Sequence, residues 1–391
     1  MAEKVEKMRV LYTYEKEMPT VTMIRASAMK RQEKGTEEVR FKHVLEVTRG
    51  DIEWCDMLNC IRPDDPYTVQ LARRARKCGC YVVAYYDDDL YRLPSSLPHP
   101  IWRKNSIPKV LAQSDAVHST SPYICEKYRK MTLGKDAMIC DSAVESEEIK
   151  QIEAMQAIPE PGEKVKLVYA ANPGHAAFFN RFILPIMPQL CSSYGERISL
   201  TFMGVRPDLS DYEQQMEIHY IPGMPLDEYR QKIREGNYEI GLSPLTSDEF
   251  TKCKYFNKFI EYTMAGIVGI YSNTEPYTYV VKNGENGFLV GDDPQEWLEC
   301  LRCVIDDAML RNRCICAAQQ LLLTEFSLQR QEEKLEQHQQ KWKKEKTGER
   351  CAGLALPRLS YRLIRVLDKL YLLQFYLRQG GISAVLAKVR Q

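Results

Sequence analysis

The sequence predicts an α/β protein: two successive doubly wound halves followed by a helical tail. Three observations predict it. Short apolar runs such as YVVAYY and ISLTFM recur between amphipathic stretches of roughly ten to fifteen residues, the alternation that builds a parallel sheet through crossover helices. That alternation stops at a polar, proline-bearing segment, residues 145–163, and then restarts. The chain has 391 residues, too many for one ordinary core.

RVLYTY (9–14) reads as a first strand buried on both faces. MPTVTMIRASAMKRQEKG follows as a helix, with Thr20 as its cap and Gly35 as its stop. VRFKHVLEV and CDMLNCIRP are the next strands, and PYTVQLARRARKCG is a helix started by Pro66 and ended by Gly79. The strand CYVVAYY runs into Asp87, Asp88 and Asp89. Beyond a proline-broken loop at 93–100 come a helix around 107–114, the strand DAVHSTS, and a helix that Ser121 caps ahead of Pro122. His118 on that strand reads as a core histidine.

After the 145–163 linker, KVKLVYAANPGH gives a strand and a sharp turn, FNRFILPIMPQLCSSYG a helix, and ISLTFMG a strand. DEYRQKIREGN and YEIGLSPL are the next helix and strand. Residues 254–264 form a helix that Gly266 ends, and IVGIY is the strand after it. PYTYVVKNGENGFLV supplies a short helix, a Gly-rich turn and a strand, and Asp293 before Pro294 starts a long helix. The expected domains are 1–160, 161–327 and 328–391. The last opens on a polar helix through 327–346 and ends in a basic amphipathic tail, where residues 352–391 hold seven basic side chains against one acid, Asp368. Such a helix lies on an anionic membrane surface, or packs its apolar side on the protein body or a partner.

Composition narrows the function. The 54 basic and 53 acidic side chains leave a net charge of +1, so no whole-protein field selects a nucleic acid. Thirteen scattered cysteines and a charged first ten residues without an apolar run fit reduced thiols in the cytoplasm. Cys300, Cys303, Cys314 and Cys316 fall in predicted helices, without the turns that zinc knuckles need, so no metal site is expected there.

The chemistry concentrates in residues 253–277. At 3.6 residues per turn Lys254, Lys258 and Glu261 share one stripe of the helix, and Phe256, Phe259, Ile260 and Thr263 take the other side. Two ammonium groups beside a carboxylate suit a ligand with phosphates and neighbouring sugar hydroxyls. The same spacing also fits an exposed helix with ordinary Lys–Glu pairs.

The second half, roughly 164–326, resembles the nucleotide-sugar-binding domain of GT-B glycosyltransferases of the group-1 (family 4) type. The pieces that carry this are KLVYAANPGH, ISLTFMG, CKYFNKFIEYTMAGIVGIYSN, VVKNGENGFLV and GDDPQEW, in that order. The resemblance implies two Rossmann-like domains. It also implies transfer of a hexosyl or deoxyhexosyl unit from a nucleotide-diphosphate sugar to a hydroxyl of a glycan or lipid-linked glycan, commonly with retention of configuration. Cell-surface polysaccharide or glycoconjugate synthesis is the implied setting. The nucleotide sugar is the co-substrate and no further cofactor is essential. The enzyme would be cytoplasmic, with the basic tail as its route to the inner face of the membrane. A non-catalytic nucleotide-sugar or glycan-binding scaffold and a nucleotide-sugar epimerase are the alternatives.

By the same resemblance Glu261 holds the ribose hydroxyls, and Lys258 and Lys254 neutralise the donor diphosphate. Asn273, Glu275, Pro276 and Tyr277 form a strand-to-helix turn that offers N–H groups to the phosphates. Gly174 and His175 lie in the first loop of the donor domain, facing the cleft. Arg206 reaches phosphate or caps its loop. Two positions depart from the family: Cys253 stands where a glutamate is frequent, and LYTYEKEMPT lacks the usual glycine pair. Asp87, Asp88 and Asp89 end a strand where α/β sheets place ligands. One of them would bind the acceptor hydroxyl or take its proton; a solvated loop with a capping Asp is the plain alternative. A metal held by an Asp-x-Asp pair belongs to the unrelated GT-A type, so none is expected.

Overall fold

The computed structural model describes residues 7–93, 97–144, 146–149, 164–342 and 358–389. The chain forms two compact units: Met1–Cys140 together with Lys334–Gln391, and Asp141–Glu333. The first holds one parallel sheet of β1 (Met8–Tyr14), β2 (Glu37–His43), β3 (Met57–Ile61), β4 (Tyr81–Tyr86), β5 (Ala116–Ser119) and β6 (Asp136–Ile139), in the order β2-β1-β3-β4-β5-β6. The second holds β7 (Val165–Ala170), β8 (Ile198–Met203), β9 (Glu217–Ile221), β10 (Ile240–Ser243), β11 (Val268–Ser272) and β12 (Phe288–Val290), ordered β12-β11-β10-β7-β8-β9 and likewise parallel.

Each sheet is covered on both faces, as parallel sheets require. Alternate residues of one strand enter different cores. On β7 Leu167 and Tyr169 join Phe182, Phe202 and Trp297, whereas Val168 and Ala170 join Phe259, Tyr262 and Tyr271. On β3 Leu58 and Cys60 pack with Leu71 and Val82, and Met57 and Ile61 with Tyr85 and Trp342. Trp342 also lies 5.3 Å from the ring of His118, which burial pushes down to about 3.

The differences from the sequence reading have local causes. β6 and β9 were not among the expected strands. Both are sheet edges, and EIHYI is half exposed, so no apolar run marks it. The single helix expected through FNRFILPIMPQLCSSYG is Ala176–Phe182, a 3-10 turn at Leu184–Ile186 and Met187–Tyr194, because Pro185 and Pro188 supply no backbone donor. Thr20 is not a cap. Met18 takes that position, and the Thr20 hydroxyl donates to Asp87. The 145–163 linker lies outside the described residues except for 146–149. Of the polar helix, Leu328–Trp342 is described.

The tail is a helix, Arg358–Val389, and it belongs with the first unit. Asp368 accepts from Arg103 at 2.5 and 3.1 Å and from the Trp102 indole at 3.0 Å. Arg103, 3 % exposed at its side chain, also reaches Asp64 at 2.7 Å and Glu15 at 3.2 Å, and Glu15 receives Arg365 at 3.0 Å. Glu15 follows β1 and Asp64 follows β3, so the tail crosses the carboxyl ends of the first sheet. No helix among the described residues is long and apolar enough to cross a membrane.

Candidate functional site

The carboxyl end of β7 and the segment before β11 bring the predicted donor residues together inside the second unit. Helix Asn257–Met264 buries Phe259, Ile260, Tyr262 and Thr263. It lies close over β10 because Gly241 has no side chain: a Cβ there would come within 2.5 Å of the Tyr262 ring. The Tyr262 hydroxyl donates to the carbonyl of Leu242 at 2.9 Å and fixes the helix rotation. Gly266, at φ +76°, ends the segment as the sequence predicts. Lys258 and Glu261 therefore sit on the open side.

Those two side chains form a chain of bonds with a third that the sequence reading did not name. Lys258 Nζ donates to Glu261 Oε2 at 2.6 Å and to the Tyr229 hydroxyl at 2.9 Å; Tyr229 in turn donates to Glu261 Oε2 at 2.9 Å. The Lys258 ammonium also lies 4.7 Å from the centre of the Tyr229 ring. Burial, then the neighbouring Glu261 carboxylate, raises the Tyr229 hydroxyl far above its ordinary value, so it remains a donor. Tyr229 comes from helix Leu226–Glu235, 32 residues before Glu261, and no local pattern marks it.

Lys254 is not on the helix. It follows a 3-10 turn, Thr251–Cys253, in extended conformation (φ −68°, ψ 160°), and its Nζ is 3.3 Å from His175 Nε2. Burial, then Lys254 and Lys258, pushes His175 down to about 4. The imidazole is thus neutral near pH 7. Nε2 accepts from the ammonium, and the proton sits on Nδ1, which is left as a donor. The loop holding it is anchored by Tyr169, whose hydroxyl donates to the His175 carbonyl at 2.8 Å. Gly174 is exposed beside it, with open space where a Cβ would stand.

The remaining predicted donor residues divide. Asn273 is exposed and Glu275 half-buried, but the Asn273 N–H already donates to Val290 and the Tyr277 N–H to Thr274. Tyr277 is buried, with its hydroxyl 2.6 Å from Ser243 Oγ and its ring against Tyr271. Those N–H groups hold the turn together. Arg206 is exposed and lies over the ring of Tyr220 at 4.6 Å. Cys253 is fully buried, its thiol 3.1 Å from the carbonyl of Glu249.

In the first unit the acidic triplet does not act as one group. Asp89 is buried at 0 % exposure, accepts from Lys127 and the Tyr128 hydroxyl at 2.5 Å each, and caps the turn Leu90–Arg92. A carboxylate so enclosed has no face for an acceptor, which corrects the expectation of a catalytic Asp89. Asp87 and Asp88 both bind Arg62, just past β3, with Asp88 at 3.1 Å, and Asp87 also takes the Thr20 hydroxyl. Arg62 thus bridges the two carboxylates. Among the described residues no group of three or more His, Cys, Asp or Glu side chains is placed to hold a metal ion.

No protein-family model matches this chain, and no curated protein matches its sequence. Solved structures do match its shape. The Anabaena protein HepE, solved with UDP and glucose, is 11% identical over 85% of this chain and 100% of its own, with a TM-score of 0.59. The lipopolysaccharide outer core galactosyltransferase WaaB in its apo form is 12% identical over 84% of this chain and 99% of its own, TM-score 0.56. A trehalose-6-phosphate protein of E. coli, bound with UDP-2-fluoro glucose, is 10% identical over 85% and 99%, TM-score 0.57. With two all-parallel six-stranded sheets of this order, each covered by helices, the chain has the GT-B fold of two Rossmann-like units.

Proposed function

We propose that the chain is a glycosyltransferase whose second unit binds a nucleotide-diphosphate sugar. It passes a hexosyl or deoxyhexosyl unit to a hydroxyl of a glycan or lipid-linked glycan, with retention of configuration, in cytoplasmic assembly of cell-surface polysaccharide or glycoconjugate. The observation that carries this reading is the convergence of Lys254, His175, Lys258 and Glu261 at the carboxyl end of β7. UDP with glucose in HepE and a UDP-sugar analogue in the E. coli protein support the same ligand class.

Each group has a task in this reading. As the glycosyl bond breaks, negative charge grows on the departing diphosphate. Two fixed ammonium groups and a neutral imidazole N–H stabilise that charge more than they stabilise the intact donor. Glu261 meets Lys258 and Tyr229 through Oε2, so Oε1 is the oxygen that takes the ribose hydroxyls. Gly174 lets the loop backbone approach the phosphates, and the exposed Asn273 and half-buried Glu275 line the far side of the donor. In the first unit Asp88, the more exposed of the pair on Arg62, orients the acceptor hydroxyl, and Arg62 holds its carboxylate in position.

A second reading has its own observation. Cys253 is buried where a carboxylate is frequent in the family, and a carboxylate is not readily accommodated there. A scaffold that binds a nucleotide sugar without transferring it is consistent with that. The deciding experiment titrates nucleoside diphosphates and nucleotide sugars calorimetrically into the protein, then assays donor hydrolysis and transfer. Binding that depends on Glu261 and is followed by turnover supports the transferase, binding without turnover the scaffold, and absence of binding refutes both.

A further inference from the structure

The helix Arg358–Val389 is attached to the first unit by its polar side. Asp368, its one acid, points inward onto Arg103 and Trp102; Arg365 points inward onto Glu15; Ile364 packs beside the core of Leu58 and Leu71; and the Tyr371 ring meets Trp102 edge-on at 5.8 Å. The other side is apolar. Leu363, Val366, Leu370, Leu373 and Leu377 follow one another at steps of three and four residues, and each is between 42 % and 60 % exposed. Leu367 widens the stripe. Arg362 and Lys369 border it on one flank and Arg378 on the other, all exposed. At Gly380 and Gly381 the helix kinks, Gly381 taking φ +64°, and the short piece beyond it exposes Ile382 and Leu386 in turn.

This inverts the usual arrangement, in which the apolar stripe seals against the protein and charge faces water. Here Asp368 and Arg365 are turned inward and the leucines face out, and the described charged side chains that border them, Arg362, Lys369 and Arg378, are all cations. A second copy of the same face would bring Arg362, Lys369 and Arg378 against their own kind. A surface that is apolar beneath and anionic above matches both parts of the pattern: leucines enter the acyl boundary while arginine and lysine reach lipid phosphates.

We propose that this face docks on an anionic lipid bilayer. Because the tail crosses the ends of β1 and β3, docking places the ligand-binding edge of the first sheet at the lipid surface. That selects the lipid-linked form of acceptor, a step that rests on the transferase reading; the docking itself does not, so the two fail separately.

The test uses the purified full chain sedimented with extruded vesicles of phosphatidylcholine alone, or with about one third phosphatidylglycerol. The protein is expected to partition into the anionic vesicles and to be released by about 0.5 M salt. Leu370→Ser with Leu373→Ser, and separately Arg362→Glu with Lys369→Glu, should each lower partition about tenfold or more while Asp368 and Arg103 keep the helix in place. Equal binding to both vesicle types, or none to either, overturns the proposal. So does a light-scattering dimer that the serine pair converts to monomer without changing lipid binding. If the serine pair fails to melt like wild type, the lipid and salt dependence of the unaltered protein decides.

Discussion

Replacing Glu261 by alanine separates binding from stability more sharply than any other change in the second unit. The Lys258–Glu261 pair is partly exposed, 24 % and 21 % at the two side chains, so its contribution to folding is about 1 kcal/mol or less. In the bound state the carboxylate takes ribose hydroxyls, and charge-assisted bonds of that kind are worth about 1.5–3 kcal/mol each. Part is offset because freed Lys258 moves closer to the diphosphate, leaving about 1.5–3 kcal/mol in total, or roughly ten- to 150-fold in Kd. Calorimetric titration of a nucleoside diphosphate reads the affinity, and urea unfolding reads the stability. Glu261→Gln should fall between wild type and alanine, since it keeps an acceptor for Tyr229. An affinity unchanged in Glu261→Ala, or a stability loss of several kcal/mol with no binding defect, refutes the assignment.

Other expectations follow from neighbouring geometry. His175 is held below its ordinary value, so the unfolded chain binds the proton that the folded chain refuses between about pH 6.5 and 4; stability is therefore lost as pH falls through that window, and His175→Gln should flatten that part of the urea-midpoint profile. Asp89→Ala removes the buried carboxylate that Lys127, the Tyr128 hydroxyl and the Arg92 N–H share and should cost about 3 kcal/mol of unfolding free energy, whereas Asp88→Ala should leave the melting curve in place and lower transfer. Asp368→Asn loosens the tail, but Arg103 keeps Asp64 and Glu15, so the cost should be about 2 kcal/mol rather than the full penalty of an orphaned buried ion; faster limited proteolysis after Arg362 or Arg365 reads it directly.

The parts of the fold legible in the sequence were those whose physics is local. β4 is apolar at every position because it is central and covered on both faces, and Ser121, Asp293 and Gly266 mark helix ends by their own chemistry. β9 was hidden because an edge strand needs no apolar run. In the site, Lys258 and Glu261 were legible from their three-residue spacing on one helix. Tyr229 was not, since its bond to Glu261 is made only when two helices pack. The Asp triplet misled for a related reason: three adjacent letters look like one cluster, but successive side chains leave a strand end in different directions, and Arg62 and Lys127 then claim them separately. The tail's basic, leucine-rich pattern was plain, whereas which side would face inward depended on Arg103, 265 residues earlier.

That separation along the chain has a bearing on how the protein is made. The first unit is assembled from both ends of the sequence, Met1–Cys140 and Lys334–Gln391, while the second is continuous from Asp141 to Glu333. On a ribosome the middle portion can therefore complete its sheet before the opening portion receives its last helix. Until Asp368 emerges, Arg103 must wait with only Asp64 and Glu15 for company, and the nascent amino-terminal half is the stretch most in need of a holding chaperone.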